Sequence, residues 1–281
     1  MSSGEGPGDS STSMPDLPDL AAQPLARLSK DVAALTDEEE LVRWARILQR
    51  DPRAGARALG ERSERRVERA RADRLRVAGL FEIRAGLLAQ GCRVVAGVDE
   101  VGVGPLAGPV VAAAVALPEI VSLPGLDDSK KLSPEARKRL NGSIRDQAVG
   151  VALGEVSAVE IDRMNIFRAG LEAMRRASTA LSERLKIDHL MVDARTIPDM
   201  TIPQTPLVHG DSIDGSIAAA SIVAKVYRDG LMEKFDVEYP GYGLARNMGY
   251  GTAEHMRALG RLGASPAHRQ SFAPVAATLG R

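Results

Sequence analysis

Residues 96–115 of the chain read AGVDEVGVGPLAGPVVAAAV, and this stretch decides the fold class. The apolar run over residues 93–98 predicts a buried strand that leads into the acidic pair Asp99–Glu100. After a glycine-rich turn, the apolar run over residues 109–117 predicts a second strand. Because the link between the two runs is short, we expect these strands to pair antiparallel.

The pattern downstream of this stretch alternates between strands and helices. Further strands are predicted over residues 149–156 and 189–193, and helices over residues 166–184 and 216–234. A short apolar piece over residues 205–208 precedes the second of these helices. The helix before the fourth strand favours a parallel crossover, whereas the earlier short links favour a meander. The sequence therefore predicts an α/β domain with a mixed sheet over residues 91–281.

The residues before this domain have a different character. Residues 1–24 are rich in Gly, Ser, Pro and Asp, and they predict a disordered tail. Residues 25–90 predict an Arg-rich helical extension. Its first clear helix signal is Thr36 with Glu39 in a capping box. A second helical stretch is predicted over residues 53–89.

The net charge of zero is a cancellation between segments. The chain has 37 basic and 37 acidic residues, but residues 41–90 alone hold 13 arginines and 6 acids. A neutral total therefore does not exclude a nucleic-acid partner. The arginines have two interpretations: a solvated face paired with Glu61, Glu64 and Glu68, or a face that also contacts phosphates.

Other residue types exclude several classes of protein. The single cysteine, Cys92, excludes an internal disulfide and a cysteine-rich zinc site, and it fits a reducing cytoplasm. The four histidines are scattered without close ligand spacing, so we expect no histidine zinc site. We expect neither a membrane span nor a secretory signal, because the chain has no long apolar run and no basic start followed by one.

Four acids lie at or just past the ends of predicted apolar segments: Asp99, Glu100, Asp193 and Asp211. Carboxylates that converge without cations repel each other, and Mg²⁺ or Mn²⁺ with oxygen ligands is the usual remedy. A two-metal carboxylate site would hydrolyse phosphodiesters. The alternative is that each acid forms a turn or caps a helix, with Asp211 capping the helix near Ser216.

The run at 96–115 resembles the first motif of the bacterial ribonuclease HII family. Further matching motifs are LDDSKKLS (126–133), EIDRMNI (160–166), MVDA (191–194), HGDS (209–212), IAAASIVAKVYRD (217–229), GYGTAEH (249–255) and HRQSFAPV (268–275). The resemblance covers about residues 93–275. The Arg-rich segment before it resembles, more loosely, an extension found in some bacterial members.

The resemblance implies a ribonuclease-H-like mixed five-stranded sheet flanked by helices, with a helical N-terminal extension. It implies a divalent-metal-dependent endonuclease that cuts the RNA strand of RNA–DNA hybrids and cuts at ribonucleotides embedded in duplex DNA. The products would carry a 3′-hydroxyl and a 5′-phosphate. The family's four catalytic and metal-binding acids fall on Asp99, Glu100, Asp193 and Asp211, which would hold two Mg²⁺ or Mn²⁺ ions.

The resemblance also assigns residues to the substrate. The family's glycine turn, which approaches the ribose 2′-hydroxyl, maps to Gly102, Val103 and Gly104, and its junction-reading tyrosine maps to Tyr250. The family also places Ser129 and Lys130 on a loop that faces the substrate. Glycines suit such a turn, because they allow close approach of the backbone to a ligand.

The chain departs from the family pattern at two of these positions. Val103 replaces a basic residue, and His209 stands where a lysine is common. Backbone contacts of the turn would survive the first change, but a charged contact would not. We therefore expect weaker or less junction-selective cleavage.

A second hypothesis is a binding module that recognises hybrid or duplex and cleaves poorly. The four intact acids argue against it. We further expect a cytoplasmic monomer, whose N-terminal helices brace the catalytic domain, extend the duplex footprint or dock a protein partner.

Overall fold

A computed structural model of the chain describes residues 17–280. The chain divides into two compact units, Met1–Asp73 and Arg74–Arg281. This division lies earlier than the predicted one at residue 90. The reason is that residues 80–84 pack into the second unit, where Gly215 N–H donates to Leu80 O and Arg84 donates to Leu117 O.

The first unit is a small helical assembly. Its helices are α1 (Leu17–Ala22), α2 (Leu25–Ala34), α3 (Glu38–Gln49) and α4 (Ala54–Gly79), the last of which continues past the unit's end. Apolar side chains at helical spacing form its core: Leu20, Leu28, Val32, Leu41, Trp44, Leu48, Ala56, Leu59 and Val67. The predicted helical extension is thus present, and its core stabilises it.

Two N-terminal predictions need correction. The predicted tail over residues 1–24 falls mostly on residues 1–16, which lie outside the described residues, but Leu17–Ala22 is helical. Leu20 is buried there, and Arg53 donates hydrogen bonds to Leu20 O and Gln23 O. The helix predicted to begin at Thr36 is capped by Asp37 instead, whose carboxylate accepts from Glu40 N–H.

The second unit contains a five-stranded mixed sheet. Its strands are β1 (Val95–Val101), β2 (Val110–Ala116), β3 (Gly150–Val156), β4 (His189–Asp193) and β5 (Gln204–Leu207). The spatial order is β3-β2-β1-β4-β5. The β3, β2 and β1 strands pair antiparallel, whereas β1, β4 and β5 pair parallel. The predicted fold class is confirmed.

The second unit also contains nine complete helices in the part of the chain that the structure describes. They are α5 (Glu82–Ala89), α6 (Pro134–Gln147), α7 (Ala158–Met164), α8 (Ile166–Ser182), α9 (Gly210–Ile213), α10 (Gly215–Glu238), α11 (Leu244–Asn247), α12 (Ala253–Leu262) and α13 (Ala273–Thr278). The predicted single helix over residues 53–89 is two helices, because α4 ends at Gly79 and α5 begins at Glu82.

The two faces of the sheet bury different helices. One face packs α8 against small side chains such as Ala112 and Ala114, and the other packs α10 against Ala113 and Val115. The start of α10 lies so close to β1 that a Cβ at Gly97 would overlap the backbone of Ser216. This close approach fixes the N-terminal end of α10 beside the acids of β1.

The first strand is longer than predicted. It continues through Asp99 and Glu100 to Val101, because Asp99 pairs with Ala113 and Glu100 with Ala112 on β2. The two acids therefore lie inside the strand instead of beyond its end. None of the helices formed by the described residues is long and apolar enough to cross a membrane.

Asp51 and Arg53 generate a prediction about the first unit. The Arg53 guanidinium donates to Asp51, and these bonds lower the pKa of the Asp51 carboxyl from 3.8 to about 2. Asp51 therefore contributes stability above pH 4, and this contribution is lost as the pH falls towards 2. We expect Asp51→Asn to lower the urea midpoint at pH 7, with the difference from wild type narrowing between pH 4 and pH 2.

Trp44 is the only tryptophan and lies in the core of the first unit, so its fluorescence reports that unit's unfolding. If Asp51→Asn lowered the urea midpoint equally at pH 7 and at pH 2, the role assigned to the Asp51–Arg53 ion pair would be contradicted.

Candidate active site

Three carboxylates converge where β1 and β4 separate. The parallel ladder between these strands ends at Val98 and Val192, one residue before Asp99 and Asp193. One carboxylate oxygen from each of Asp99, Glu100 and Asp193 can be chosen so that all lie within 4.8 Å of one another. This cluster therefore combines neighbouring residues of one strand with the last residue of the next strand.

Asp99 and Glu100 reach the cluster from opposite faces of β1. Asp99 is 4% exposed and lies on the α10 side, where Ser221 hydrogen-bonds its carboxylate. Glu100 lies on the α8 side, with its Cγ 3.9 Å from the position that a Cβ of Gly170 would take. Adjacent strand residues alternate between faces, so only the end of the β1–β4 ladder lets both carboxylates meet.

Asp211 lies beside the three clustered acids. It occupies the short helix α9, and the preceding Gly210 N–H donates to Asp193 Oδ1 at 2.7 Å. Its own carboxylate lies 3.2 Å from Lys130 Nζ. The alternative role for Asp211 as a helix cap is wrong, because Asp214 caps α10 by accepting from Ser216 N–H and Ile217 N–H.

The clustered acids carry an electrostatic conflict. Burial, then the charges of Glu100 and Asp193, raise the pKa of Asp99 well above its usual value. Burial and the charge of Asp193 raise the pKa of Glu100 to about 7, and burial raises the pKa of Asp193. Because like charges repel each other in a buried site, these carboxyl groups favour their protonated forms unless a bound cation offsets the negative charge.

The predicted substrate residues Ser129 and Lys130 have different surroundings. Ser129 is buried, and its hydroxyl lies 2.9 Å from the hydroxyl of Ser221, the residue that contacts Asp99. The Ser129 hydroxyl therefore supports the acid cluster through Ser221 and does not face solvent. The Lys130 side chain is 81% exposed, and its ammonium lies against Asp211 at the open side of the cluster.

The glycine turn follows β1 directly. Gly102 has a φ of +90°, and a Cβ there would overlap the Arg228 side chain and Pro109 O. Val103 and Gly104 are exposed. Tyr250, which is 47% exposed, places its Cε1 3.5 Å from the position that a Cβ of Gly104 would take. The structure thus brings the predicted turn and the predicted tyrosine together.

The sequence-based predictions missed two buried arginines behind this turn, Arg228 and Arg269. Both are fully buried, and their guanidinium groups donate only to backbone carbonyls among the described residues. The acceptors of Arg228 are Ala107, Pro109 and Met248, and those of Arg269 are Gly102, Val103 and Gly108. Both arginines occur in the family-like motifs 217–229 and 268–275, which were the available signal.

A histidine pair that sequence spacing did not reveal supports Tyr250. His255 Nδ1 lies 2.8 Å from Tyr250 O, and the Nε2 atoms of His255 and His268 are 3.0 Å apart. Ser265 N–H donates to His268 Nδ1, which assigns the proton of neutral His268 to Nε2. His255 then donates from Nδ1 to Tyr250 O, so the pair holds the backbone of that tyrosine.

Arg195 and His209 also lie near the acids. The charge of Arg195 lowers the pKa of Glu100, and the Arg195 guanidinium lies 4.4 Å from the ring centroid of Phe167. His209 has a left-handed backbone with φ of 57°, and it directly precedes Gly210, whose N–H donates to Asp193. Arg195 is a further candidate that the sequence-based predictions missed.

The donor set fits hard divalent cations. Carboxylate oxygens are the ligands that Mg²⁺ and Mn²⁺ prefer. Glu100 Oε2 is buried and has no hydrogen-bond partner among the described residues, so it is free to coordinate a cation. The mixed sheet and the acid cluster beside it define the class of protein: an α/β domain of the ribonuclease-H-like kind with a site suited to divalent cations.

Comparisons with known proteins specify the family. The pattern of the family described as Ribonuclease HII matches residues 96–275. A Ribonuclease HII of Myxococcus xanthus is 51% identical over 234 residues, 83% of this chain and 79% of the relative. One of Geobacillus thermodenitrificans is 49% identical over 254 residues, 89% of this chain and 96% of the relative. The chain belongs to the ribonuclease HII family and acts on RNA–DNA hybrids.

Solved structures agree with this assignment. The ribonuclease H2 of Pyrococcus horikoshii is 27% identical with a TM-score of 0.56, covering 67% of this chain and 98% of that one. The ribonuclease HII of Archaeoglobus fulgidus, solved in a complex with PCNA, is 26% identical with a TM-score of 0.53. That match covers 64% of this chain and 95% of that one. These similarities support the mixed-sheet fold of the second unit.

The raised pKa values generate a prediction about metal binding. Without metal, the stability contributed by the protonated acids is present at low pH and lost as the pH rises through about 7. A divalent cation replaces those protons, so added Mg²⁺ or Mn²⁺ should raise the Tm more at pH 8 than at pH 6. At a hundredfold excess over Kd we expect about 5 °C or more at pH 8.

Differential scanning fluorimetry of two variants checks this. Glu100→Gln should lose most of the shift, whereas Asp162→Asn, an acid that binds the backbone of Gln270 and Ser271 elsewhere, should keep it. A metal-induced shift of the same size in Glu100→Gln and wild type would contradict the assigned site.

Proposed function

We propose that this protein is an endonuclease that hydrolyses the RNA strand of RNA–DNA hybrids and cuts at ribonucleotides embedded in duplex DNA. Two Mg²⁺ or Mn²⁺ ions would serve it, and the products would carry a 3′-hydroxyl and a 5′-phosphate. The observation that supports this most directly is the convergence of Asp99, Glu100 and Asp193 next to the glycine turn. The binding-module hypothesis gives no reason for such a buried cluster of acids.

Asp99, Glu100, Asp193 and Asp211 would hold the metal ions. Bound there, such ions would supply activation of a water molecule and stabilisation of the leaving oxygen. Ser221 and Ser129 orient Asp99, and Gly210 N–H orients Asp193, so both carboxylates are fixed before substrate arrives. Lys130 offsets the charge of Asp211 and is exposed enough to approach a phosphate of the cleaved strand.

Gly102, Val103 and Gly104 would read the ribose 2′-hydroxyl through their backbone, and the Tyr250 ring would stack on the sugar beside it. Support comes from the exposure of Val103, Gly104 and Tyr250 and from the packing of Tyr250 against Gly104. The 2′-hydroxyl is the group that separates RNA from DNA, so a site built around it would select ribonucleotides.

The first functional prediction concerns Asp193. We expect Asp193→Asn to lower turnover at least about 100-fold, because loss of a group that merely orients a metal ligand already costs about 10–100-fold. The assay uses a DNA duplex with one ribonucleotide and Mg²⁺ or Mn²⁺, and it identifies the product ends. The control is Asp188→Asn, which alters an acid just before the opposite end of β4.

Undiminished turnover in Asp193→Asn would refute the metal assignment. Binding of the duplex by the wild-type protein without any product would favour the binding module instead.

The second functional prediction concerns Val103, where the family commonly has a basic residue. Val103→Arg should strengthen binding and junction selectivity by about tenfold or more, because an arginine here adds a charged hydrogen bond to a phosphate. Val103→Met, which lengthens the side chain without charge, should behave as wild type. Steady-state cleavage of single-ribonucleotide and all-RNA hybrid substrates measures both quantities. Unchanged rates and preference in Val103→Arg would contradict this account.

The remaining expectations concern the surroundings of the enzyme. We propose a monomer that works in the cytoplasm, where its single cysteine would stay reduced. Part of the arginine surface of the first unit is engaged internally, since Arg71 pairs with Glu38 and Arg66 donates to Leu35 O. The exposed arginines that remain on α4 would contact duplex phosphates or a protein partner, and a salt series would distinguish these roles.

A further inference from the structure

Arg228 and Arg269 are unusual among buried arginines, because their guanidinium groups donate hydrogen bonds to backbone carbonyls and not to carboxylates. Together they hold six carbonyl groups at both ends of the segment 102–109 and at Met248. Neither forms an ion pair in the part of the chain that the structure describes. Burying a guanidinium without a carboxylate is costly, so a role in fixing the shape of this segment is the natural explanation.

The direction of the held carbonyls determines where the amides of the turn point. Arg269 Nη2 donates to Gly102 O, and Arg269 Nη1 donates to Val103 O at 3.0 Å. The N–H that follows each carbonyl in a planar trans peptide points the opposite way. The amides of Val103 and Gly104 therefore point away from Arg269, towards the exposed side of the turn.

These two amides are available for a ligand. Neither the Val103 N–H nor the Gly104 N–H donates a hydrogen bond to any residue within 17–280. Both residues are exposed, and the ring of Tyr250 lies beside Gly104. Two free amides on one side of a turn form a concave donor site for an oxygen ligand.

Arg228 supports the same turn from the other end. Its Nε donates to Pro109 O at 3.0 Å, and its side chain fills the space that a Cβ at Gly102 would need. Its Nη1 donates to Met248 O, two residues before Tyr250. The two arginines thus fix the glycine turn and the tyrosine loop with respect to each other.

We propose that Arg228 and Arg269 are positioning residues for ribonucleotide recognition, which turn the amides of Val103 and Gly104 outward as donors to the ribose oxygen. The inference rests on the proposed function. It assigns selectivity for the ribonucleotide to the planar fork of Arg269 and not to its charge. It also accounts for how a turn with Val103 in place of a basic residue retains recognition.

The test separates fork geometry from charge. It measures KM and kcat for a DNA duplex with one ribonucleotide and Ki for the same duplex made of DNA only, used as a competitor. Arg269→Lys keeps the charge but replaces the planar fork with one compact ammonium, which cannot reach the three carbonyls of Gly102, Val103 and Gly108 in the same geometry. We expect it to raise KM relative to Ki by about five- to tenfold, with Ki unchanged.

The matched control is Arg84→Lys. Arg84 is also buried and donates to three backbone carbonyls, those of Leu117, Pro118 and Glu119, away from the turn. This variant should lose stability to a similar degree and keep the wild-type ratio of KM to Ki.

A second variant keeps the test valid if Arg269→Lys does not fold. Val103→Pro removes one outward amide and leaves Arg269 in place, so it should raise the same ratio. Wild-type ratios in Arg269→Lys or in Val103→Pro, while the wild-type protein cuts at the ribonucleotide, would overturn the inference alone. A wild-type protein that does not cut there would overturn the proposed function, and the inference with it.

Discussion

The main physical constraint on the catalytic unit is the repulsion among the carboxylates that lie together at the end of the β1–β4 ladder. The side chains of Asp99 and Glu100 lie on opposite faces of β1. Asp193 is the last residue of β4 and lies one residue beyond the end of the β1–β4 ladder. Burial disfavours the three negative charges, and it therefore raises the pKa values of all three acids. A divalent cation removes the conflict, so the same strain that weakens the metal-free protein creates the affinity for metal.

The elements around this cluster act as its supports. Ser129 and Ser221 hold Asp99 from the α10 side, and α9 directs the Gly210 amide at Asp193. The glycine turn follows the acids on the same strand, and two buried arginines fix its carbonyls. Recognition and chemistry are therefore joined through β1, because the strand that carries two acids continues directly into the turn beside Tyr250.

The sequence predicted β1 to β4 well because each contains an apolar run bounded by turn residues. The pattern did not predict β5, whose sequence QTPL is short and partly polar, and the fifth strand was expected only from the family resemblance. The sequence also selected the four acids, although it ended β1 at residue 98, since Asp and Glu rarely belong to a strand interior. It could not show that Asp214 instead of Asp211 caps α10, or that residues 80–84 pack with the catalytic unit. The contact between His255 and His268 and the carbonyl partners of Arg228 and Arg269 could not be predicted, because long-range packing determines them. For the two arginines, the matching motifs were the only signal in the sequence.

The most direct test of this account is the anomalous diffraction of Mn²⁺ in crystals of the protein grown with that ion. We expect manganese density bounded by the carboxylates of Asp99, Glu100 and Asp193, with Asp211 at its edge. Manganese bound only elsewhere, with the three carboxylates still in mutual contact, would contradict the claim that this cluster exists to hold metal.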